Sequence, residues 1–242
     1  MVQRSPSRWS QFGAAAVHLY TASGVVLAFM MVLAAIQGNT VQALWISLLT
    51  LIIDGTDGTL ARRFRVRETL PWFDGRRLDD IVDYLNYAFT PILLLWTLGY
   101  IPSGVGGILL AALPLLASSY QFCRVDAKTD DHFFLGFPSY WNVVAFYAII
   151  LNLSPMTVGI VLIFWSVMVF VPIRYLYPTQ TTAFRPVTLT LSALWLISYG
   201  VILLQMPAPN QLIVNFSLLY MAYYMVLSLY MTYKTMRKPK HA

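Results

Sequence analysis

Cysteine is nearly absent from this sequence, with one residue, Cys123, in 242. A single cysteine excludes a disulfide framework and cannot supply a thiolate metal cluster. Charged residues are also scarce: they make up 11% of the chain, whereas a soluble domain carries about a quarter. Hydrophobic residues reach 58%, and the mean hydropathy is +0.65. These proportions exclude an ordinary soluble protein and predict a polytopic membrane protein.

Long polar stretches are missing as well, since the longest are the loops at residues 61–77 and 124–137. No separate soluble domain fits into such loops, so we predict a single integral membrane domain over residues 1–242. Hydrophobic stretches of about 18–22 residues predict membrane-spanning helices. The fold class that follows is an all-α, polytopic helical bundle with about eight transmembrane helices. They are predicted at residues 14–36, 41–60, 78–100, 104–123, 138–153, 156–173, 183–204 and 210–233.

One side of the predicted bundle lacks charge of either sign. Its loops, QGNTVQ, YIPSG, LNLSPM and MPAPNQ, contain no charged residue, and all 16 Lys and Arg fall on the opposite side. The positive-inside rule then puts the charged side in the cytosol, together with the N-terminal segment 1–13 and the basic tail 234–242. In a membrane protein, the net charge of +6 is expected to face anionic lipid and phosphate ligands rather than nucleic acid.

Acidic residues are few, but four aspartates stand at the ends of two apolar stretches. The second stretch ends in DGTDGTLAR, with Asp54 and Asp57, and the third begins with GRRLDDIVD, with Asp79 and Asp83. These spacings put each pair on one face of its helix, and carboxylates that enter a membrane mark function because they are costly there. Four of them side by side need divalent cations, and Mg²⁺ or Mn²⁺ would bind them together with substrate phosphates. The sequence predicts a two-ion phosphoryl-transfer site.

Several residues of this pattern could instead have a purely structural role. Gly55 and Gly58 leave room either for a nucleotide base close to the backbone or for the packing of neighbouring helices. Arg62 either pairs with a phosphate or anchors its helix at the cytosolic surface. Helix N-capping would account for Asp79, but it accounts neither for Asp83 one turn deeper nor for the acidic pair at the end of the preceding helix.

The two acidic segments resemble the signature of the CDP-alcohol phosphotransferases, D-x-x-D-G-x-x-A-R followed by G-x-x-x-D-x-x-x-D. The spacer between the arginine and the second glycine is residues 63–74, twelve residues where the family usually has eight. The resemblance implies a six-helix core, a homodimer, and transfer of a substituted phosphate from a CDP-linked donor to an alcohol with release of CMP. The eight defined positions are filled by Asp54, Asp57, Gly58, Ala61, Arg62, Gly75, Asp79 and Asp83.

The same resemblance implies a role for each position. The four aspartates would hold two ions, Mg²⁺ or Mn²⁺, and Asp83 would also be the general base on the attacking hydroxyl. Gly58 and Ala61 would lie against the cytidine, with Arg62 near the nucleotide phosphates. The implied CDP-binding residues are Asp57, Gly58, Ala61, Arg62 and Gly75.

The second polar segment, Ser118 to Asn142, is rich in aromatic and acidic residues. Together with the segment from Asp79 to Pro91 and the eight-helix length, it is similar to the bacterial phosphatidylcholine synthases. This implies CDP-diacylglycerol as donor, choline as acceptor and the bacterial inner membrane as location. A quaternary ammonium group is bound by aromatic faces and negative charge. The predicted choline-binding residues are Tyr84, Tyr120, Tyr140 and Trp141, and Arg124 is a predicted contact of the lipid phosphate. The alternatives are an interfacial aromatic belt and a cytosolic anchor.

Two different functions are compatible with parts of the pattern. A phosphotransferase acting on serine, glycerol phosphate or inositol phosphate would need a basic acceptor pocket, whereas the acceptor segment here is acidic and aromatic. A divalent-cation transporter would place its acids near mid-membrane and charge on both faces. Here the acids lie toward one end, and the far face is uncharged.

Overall fold

The computed structural model of the chain describes residues 7–237. Residues 1–6 and 238–242, which belong to the two predicted cytosolic end segments, lie outside the described part. The helices are α1 (Arg8–Ile36), α2 (Thr40–Arg63), α3 (Val66–Thr69), α4 (Gly75–Asp83), a π-helical turn (Tyr84–Phe89), α5 (Thr90–Thr97), α6 (Val105–Cys123), α7 (Trp141–Ile150), α8 (Pro155–Met168), α9 (Arg185–Leu204) and α10 (Gln211–Met236). Two strands, β1 (Phe133–Leu135) and β2 (Arg174–Leu176), complete the fold.

Polar side chains fix where several helices begin. Ser7 and Asn39 each accept a hydrogen bond from a backbone N–H in the first turn of α1 and α2. Such caps satisfy donors that have no partner inside the helix. Asp74 caps α4 in the same way, so this residue of the spacer fixes the start of the helix that carries Asp79 and Asp83.

All eight predicted hydrophobic stretches form helical structure, but they are not eight regular spans. Within residues 7–237, five helices are long and apolar enough to cross a membrane: α1, α2, α6, α9 and α10. The predicted third span is α4, the π-helical turn and α5 in succession. α7 and α8 have 10 and 14 residues, which is about 15 and 21 Å against the about 30 Å of a bilayer core. The chain is a polytopic helical membrane protein, and the count of eight spans is not confirmed.

Large apolar side chains on several helices point away from the bundle. Leu19 on α1 is 72% exposed and Leu116 on α6 is 69% exposed. In water such surfaces would favour aggregation, whereas hydrocarbon chains solvate them well. The outer surface of the bundle is therefore suited to lipid.

Two groups of buried side chains hold the helices together. In the first, Trp141 at the start of α7 is 0% exposed, and its indole N–H donates to Ser118 Oγ on α6 at 2.7 Å. In the second, the rings of Phe146 and Tyr199 stack with centroids 3.7 Å apart and join α7 to α9. Although α7 is short, it lies at the centre of the bundle.

The strands connect the loop after α6 to the C-terminal helix. β1 and β2 pair in antiparallel orientation, with Phe134 opposite Tyr175. The backbone N–H groups of Arg174 and Leu176 donate to the hydroxyls of two α10 residues, Thr232 at 2.8 Å and Ser228 at 3.2 Å. These bonds satisfy groups of β2 that would otherwise be buried without partners. The sequence predicts an all-α fold, so this strand pair is a departure from the expectation.

Candidate active site

The carboxylates at the end of α2 and the start of α4 meet because α1 packs against both helices. Oxygens of Asp54, Asp57 and Asp79 lie within 4.8 Å of one another. Asp57 is 6% exposed and accepts a hydrogen bond from Thr21 Oγ1 on α1 at 2.9 Å. Asp54 accepts one from the Tyr87 hydroxyl at 2.7 Å. These two bonds fix the orientation of two of the three carboxylates, as outer partners do for metal ligands.

Asp83, the fourth aspartate of the signature, stands one turn further along α4. It is outside the group of three, but it lines a small cavity together with Asp54, Asp57 and Tyr87. The structure thus groups three of the four predicted metal ligands and sets the fourth deeper in the bundle. Its carboxyl interacts with that of Asp54, so the fourth aspartate adjoins the group of three.

The three grouped carboxylates fit a divalent cation. Their donor atoms are all oxygens, which Mg²⁺ and Mn²⁺ prefer. Among the described residues, none of the three forms an ion pair with Lys or Arg, because the salt bridges involve Asp74, Asp126 and Asp131 instead. Their negative charge is therefore not neutralised by a direct ion pair, and the Lys128 ammonium of the chain acts on it only from a distance.

A cleft with a volume of about 870 Å³ opens beside the carboxylates. Its walls are formed by α1, the last turns of α2, the spacer before α4 and the loop after β2. Asp54 and Asp79 line it, so the acidic group and the cleft form one site. The residues predicted to bind CDP also line it: Asp57, Gly58, Ala61, Arg62 and Gly75.

The glycines of the signature have two different roles. A Cβ atom at Gly55 would meet nothing within 4 Å, and one at Gly58 would meet only Arg62 Nη1 at 3.5 Å. Both line the cleft, and no neighbouring helix within residues 7–237 packs on them. At Gly75, by contrast, a Cβ would lie 2.7 Å from Cε1 of His18. The ring of His18 also packs on Phe73 with centroids 4.3 Å apart, so Gly75 lets the start of α4 approach α1.

The twelve-residue spacer contains a helix that was not predicted. Arg65 adopts a left-handed conformation with φ of 47°, and α3 begins directly after it. Val66 and Leu70 are buried and belong to one cluster with Ala14 and Val17 of α1. The additional residues thus form a turn of helix that docks on α1, and the spacer still returns the chain to Gly75 beside the cleft.

The loop after β2 supplies cleft residues that the sequence pattern did not predict. The carboxamide oxygen of Gln180, in the amide orientation that suits its neighbours, accepts hydrogen bonds from Nη1 and Nη2 of Arg62 at 2.8 and 3.1 Å. Arg62 Nη2 also donates to Thr59 Oγ1 at 3.0 Å. Tyr177 and Thr179 line the same wall. No local pattern in the sequence marks these residues, because β pairing brings them to the site.

Of the four predicted choline-binding residues, the structure brings Tyr140 close to the carboxylates. Its ring lies 6.2 Å from that of Tyr87, which is bonded to Asp54, and 6.3 Å from that of Phe134. Its hydroxyl interacts electrostatically with Asp54 and Asp83. Tyr140 therefore joins the carboxylates to the aromatic residues of the second polar segment.

The other three predicted choline-binding residues lie elsewhere. Trp141 is fully buried in the core, where its only polar side-chain atom is occupied by Ser118. Tyr120 is 46% exposed on the outer face of α6 and packs on Phe170 with ring centroids 4.9 Å apart. The hydroxyl of Tyr84 donates to the carbonyl of Leu115 at 3.3 Å. Core packing and helix contacts account for these three aromatic residues.

Arg124, predicted to contact the lipid phosphate, is engaged within the chain. Its Nε and Nη2 each donate to Asp126 at 2.7 Å, and its Nη1 donates to the carbonyl of Leu135 at 3.3 Å. These three bonds use three of the five N–H donors of the guanidinium group. We therefore interpret Arg124 as a support of the loop before β1.

Residues 127–135 contain β1 and the loop before it, and residues 174–181 contain β2 and the loop after it. The two segments are joined by the β1–β2 pairing, and together we call them the cover.

Comparison with known proteins shows the family to which the chain belongs. The family model described as CDP-alcohol phosphatidyltransferase matches residues 16–173. A protein of Legionella pneumophila named phosphatidylcholine synthase is 41% identical over 236 residues, which cover 95% of this chain and 92% of that protein. Proteins with the same name from Borreliella burgdorferi and Pseudomonas aeruginosa are 35% and 41% identical, covering 90% and 79% of this chain and 94% and 80% of theirs. With its signature residues gathered around one cleft, the chain belongs to the CDP-alcohol phosphatidyltransferase family.

Proposed function

We propose that the chain has phosphatidylcholine synthase activity, transferring the phosphatidyl group of CDP-diacylglycerol to choline and releasing CMP. The observation that carries the proposal is the group of three aspartates beside the cleft, in a chain that fills every position of the family signature. The name of the three relatives supports the choice of donor and acceptor.

In this proposal the CDP group of the donor occupies the cleft. The open α2 backbone at Gly55 and Gly58 accepts a flat base that side chains would exclude. Arg62, held by the Gln180 carboxamide, is oriented to donate to a phosphate oxygen. The diacylglycerol chains extend from the cleft into the lipid that surrounds the bundle.

Asp54, Asp57, Asp79 and Asp83 are the proposed ligands of two divalent cations, Mg²⁺ or Mn²⁺. Members of the family depend on divalent metal in general, and three of these carboxylates are close enough to share an ion. Ions bound there would neutralise the charge of the donor diphosphate and of the departing CMP. The Thr21 and Tyr87 hydroxyls orient Asp57 and Asp54 for this role.

Asp83 is the proposed general base. Its carboxylate takes the proton of the choline hydroxyl, and the hydroxyl oxygen attacks the phosphorus that carries the diacylglycerol. The bond from that phosphorus to the bridging oxygen breaks, and the electron pair leaves on the phosphate of CMP. Asp83 then passes its proton to water. Because attack and departure are in line, no side chain needs to form a covalent intermediate.

The acceptor is proposed to bind on the side of the carboxylates that faces Tyr140. The Tyr140 ring is part of an aromatic group with Tyr87, Phe134 and Tyr224. Aromatic faces beside negative charge bind a trimethylammonium group, which has no hydrogen to donate. An acceptor with a carboxylate or phosphate of its own would instead need basic side chains around that group.

We further propose that the chain is a single membrane domain of the bacterial inner membrane, with the site and both termini in the cytosol. The one-sided distribution of Lys and Arg supports this orientation, and the bacterial origin of the relatives supports the membrane. A homodimer is proposed from the resemblance to the family.

The test is CMP release by purified protein supplied with CDP-diacylglycerol, Mn²⁺ and a panel of alcohols. We expect rapid release with choline, slower release with dimethylethanolamine, and none above background with serine or glycerol phosphate. CMP release with serine and none with choline would remove the choline assignment while leaving the phosphotransferase proposal intact. No CMP release with any alcohol would contradict both.

A further inference from the structure

An ammonium group lies at the acceptor side of the site, on the cover. Lys128 Nζ is 5.9 Å from the ring centroid of Phe134 and 5.8 Å from that of Tyr177. Both values lie within the about 6 Å over which an aromatic face attracts a cation. The two rings are 4.6 Å apart, with 33° between their planes. Two neighbouring aromatic side chains therefore share one cation.

The backbone of the cover fixes these three side chains relative to one another. A β-bridge joins Lys128 to Phe134, and Tyr177 directly follows β2, which pairs with β1. The backbone N–H of Tyr177 donates to Oγ1 of Thr181 at 2.9 Å, and that hydroxyl donates to the carbonyl of His132 at 2.6 Å. The paired backbone of the cover thus sets the positions of the two aromatic residues, whereas the lysine reaches them on a flexible side chain.

Negative charge surrounds the Lys128 ammonium. Burial favours the neutral amine, but Tyr177, Asp79, Asp83 and Asp80 outweigh burial and raise the pKa of Lys128. Within residues 7–237 the ammonium forms no ion pair. Aromatic faces and attraction from several carboxylates hold it, and no hydrogen-bonded acid ties it to one place.

A quaternary ammonium needs the same surroundings, namely aromatic faces close to carboxylates. Lys128 and a choline head group carry the same charge, so they cannot share the two rings. A donor diphosphate beside Asp54, Asp57 and Asp79 would present oxygens to which the Lys128 ammonium can donate. A lysine on a four-carbon stem can move between the two positions.

We propose that Phe134 and Tyr177 are the binding faces for the quaternary ammonium of the acceptor, and that Lys128 occupies them until a bound donor diphosphate draws its ammonium away. This inference rests on the proposed function and adds an order of binding to it. The acceptor binds well only after CDP-diacylglycerol. Lys128 is then a positioning residue. Without donor its ammonium occupies the acceptor site, and with donor bound it contacts the donor diphosphate.

Tetramethylammonium is the probe for this order, because it carries the cationic head but no hydroxyl and is not consumed. Its binding to purified protein in lipid nanodiscs is measured by equilibrium dialysis with Mn²⁺, with and without CDP-diacylglycerol. For the wild type we expect the donor to raise the affinity by about tenfold. For Lys128→Met we expect tight binding without donor and less than about a twofold effect of donor. Lys234→Met, the matched change in the last turn of α10, should behave as the wild type.

Phe134→Leu tests the binding face separately, since Phe134 does not line the cleft. We expect its KM for choline to rise about tenfold, and its KM for CDP-diacylglycerol to change less than about twofold. Two results would overturn the inference and leave the proposed function standing. The first is an active wild type that binds tetramethylammonium equally with and without donor. The second is a Lys128→Met variant in which the donor raises the affinity as much as it does in the wild type. A wild type that releases no CMP with choline would instead remove the proposed function.

Discussion

Asp57 is a buried carboxylate in an acidic environment. It is 6% exposed, accepts a hydrogen bond from Thr21, and lies beside Asp54 and Asp79. A buried carboxylate with acidic neighbours is strongly disfavoured unless a cation compensates it. The Thr21 bond offsets only part of that cost, so the residue is suited to a metal ion rather than to a structural ion pair.

Asp57→Asn should abolish turnover while leaving the fold intact, because the amide keeps the size and loses the charge. Mutation of a residue that only orients a metal ligand lowers metal affinity or activity by about 10–100-fold. Asp57 is itself a proposed ligand, so we expect kcat to fall by more than about 100-fold. The measurement is CMP release in purified protein across a Mn²⁺ titration.

The control for this variant is Asp126→Asn, which removes the same charge from an exposed carboxylate paired with Arg124. The asparagine can still accept a hydrogen bond from Arg124, which also keeps its bond to the Leu135 carbonyl, and neither residue lines the cleft, so most of the activity should remain. Full turnover in Asp57→Asn, or in wild type after EDTA treatment, would contradict a metal site at these aspartates.

Gln180→Leu should weaken donor binding specifically. The leucine cannot accept the two hydrogen bonds from Arg62, and the guanidinium then loses the orientation that a phosphate contact needs. We expect the KM for CDP-diacylglycerol to rise about tenfold with the KM for choline nearly unchanged, since one hydrogen bond to a charged group contributes about 1.5–3 kcal/mol. Steady-state kinetics with each substrate varied in turn provides the measurement.

Gln211→Leu serves as its control, because Gln211 begins α10 and its side chain bonds to Asn215 of the same helix. Both KM values should stay at the wild-type level there. A Gln180→Leu variant with an unchanged donor KM, or with equal changes in both KM values, would show that Gln180 does not act through Arg62.

The residues of the site differed in how far the sequence could predict them. The four aspartates were predictable because helical periodicity is local and acids in an apolar segment are rare. Tyr177 and Gln180 were not, because antiparallel pairing of two short strands brings them to the cleft. Trp141 was misassigned because composition and position do not distinguish a core aromatic residue from one that faces a ligand.

At the scale of elements, the π-helical turn between α4 and α5 has a definite effect on the site. Asn86 Nδ2 donates to the carbonyls of Gly24 on α1 and Val82 on α4, each at 3.0 Å. Tyr87, the next residue, then reaches Asp54 on α2. Turns of this kind widen a helix by one residue and are frequent at functional sites. A continuous 3.6-residue periodicity does not predict such a turn, which is why the third span was predicted as one regular helix.

α7 begins with one large, fully buried side chain, that of Trp141. Trp141→Ala removes a fully buried indole and leaves Ser118 without its donor. Large-to-small changes of this type cost about 3–5 kcal/mol, so we expect a marked fall in the thermal unfolding temperature in detergent. The KM for choline in the folded fraction should stay at the wild-type value, because the indole of Trp141 packs on Phe137 and bonds to Ser118 in the core.

Trp9→Ala provides the comparison, since Trp9 on α1 is 85% exposed and its removal should leave the unfolding temperature nearly unchanged. A Trp141→Ala protein with normal stability and a raised choline KM would restore the predicted assignment of Trp141 to the acceptor site.

At the scale of the whole molecule, charge and site lie at one end of the bundle. The loops at the opposite end carry no charged side chain, while the carboxylates, the cleft and the cover are built from segments of the charged end. In the proposed function, one end of the bundle therefore performs the chemistry, and the other end consists of short connections between helices.

Cysteine labelling in intact cells checks this asymmetry. On a Cys123→Ser background, single cysteines at Gly38 and Pro102 should react with a membrane-impermeant maleimide, and those at Glu68 and Val125 should be protected until the cells are opened. All four positions are exposed on the surface of the chain, so reactivity reports the side of the membrane. Equal labelling of Gly38 and Glu68 in intact cells would contradict the proposed orientation.

The pairing of β1 with β2 has a consequence for how the enzyme could change over evolutionary time. The family model matches residues 16–173, which include β1 but not β2, so the cover joins a segment inside the matched region to a segment outside it. A descendant that adopted a different alcohol would have to alter both halves together, because each half contributes one of the two rings. We expect substitutions at Phe134 and Tyr177 to be inherited as a pair, and a chimera that exchanges only one half to lose its acceptor.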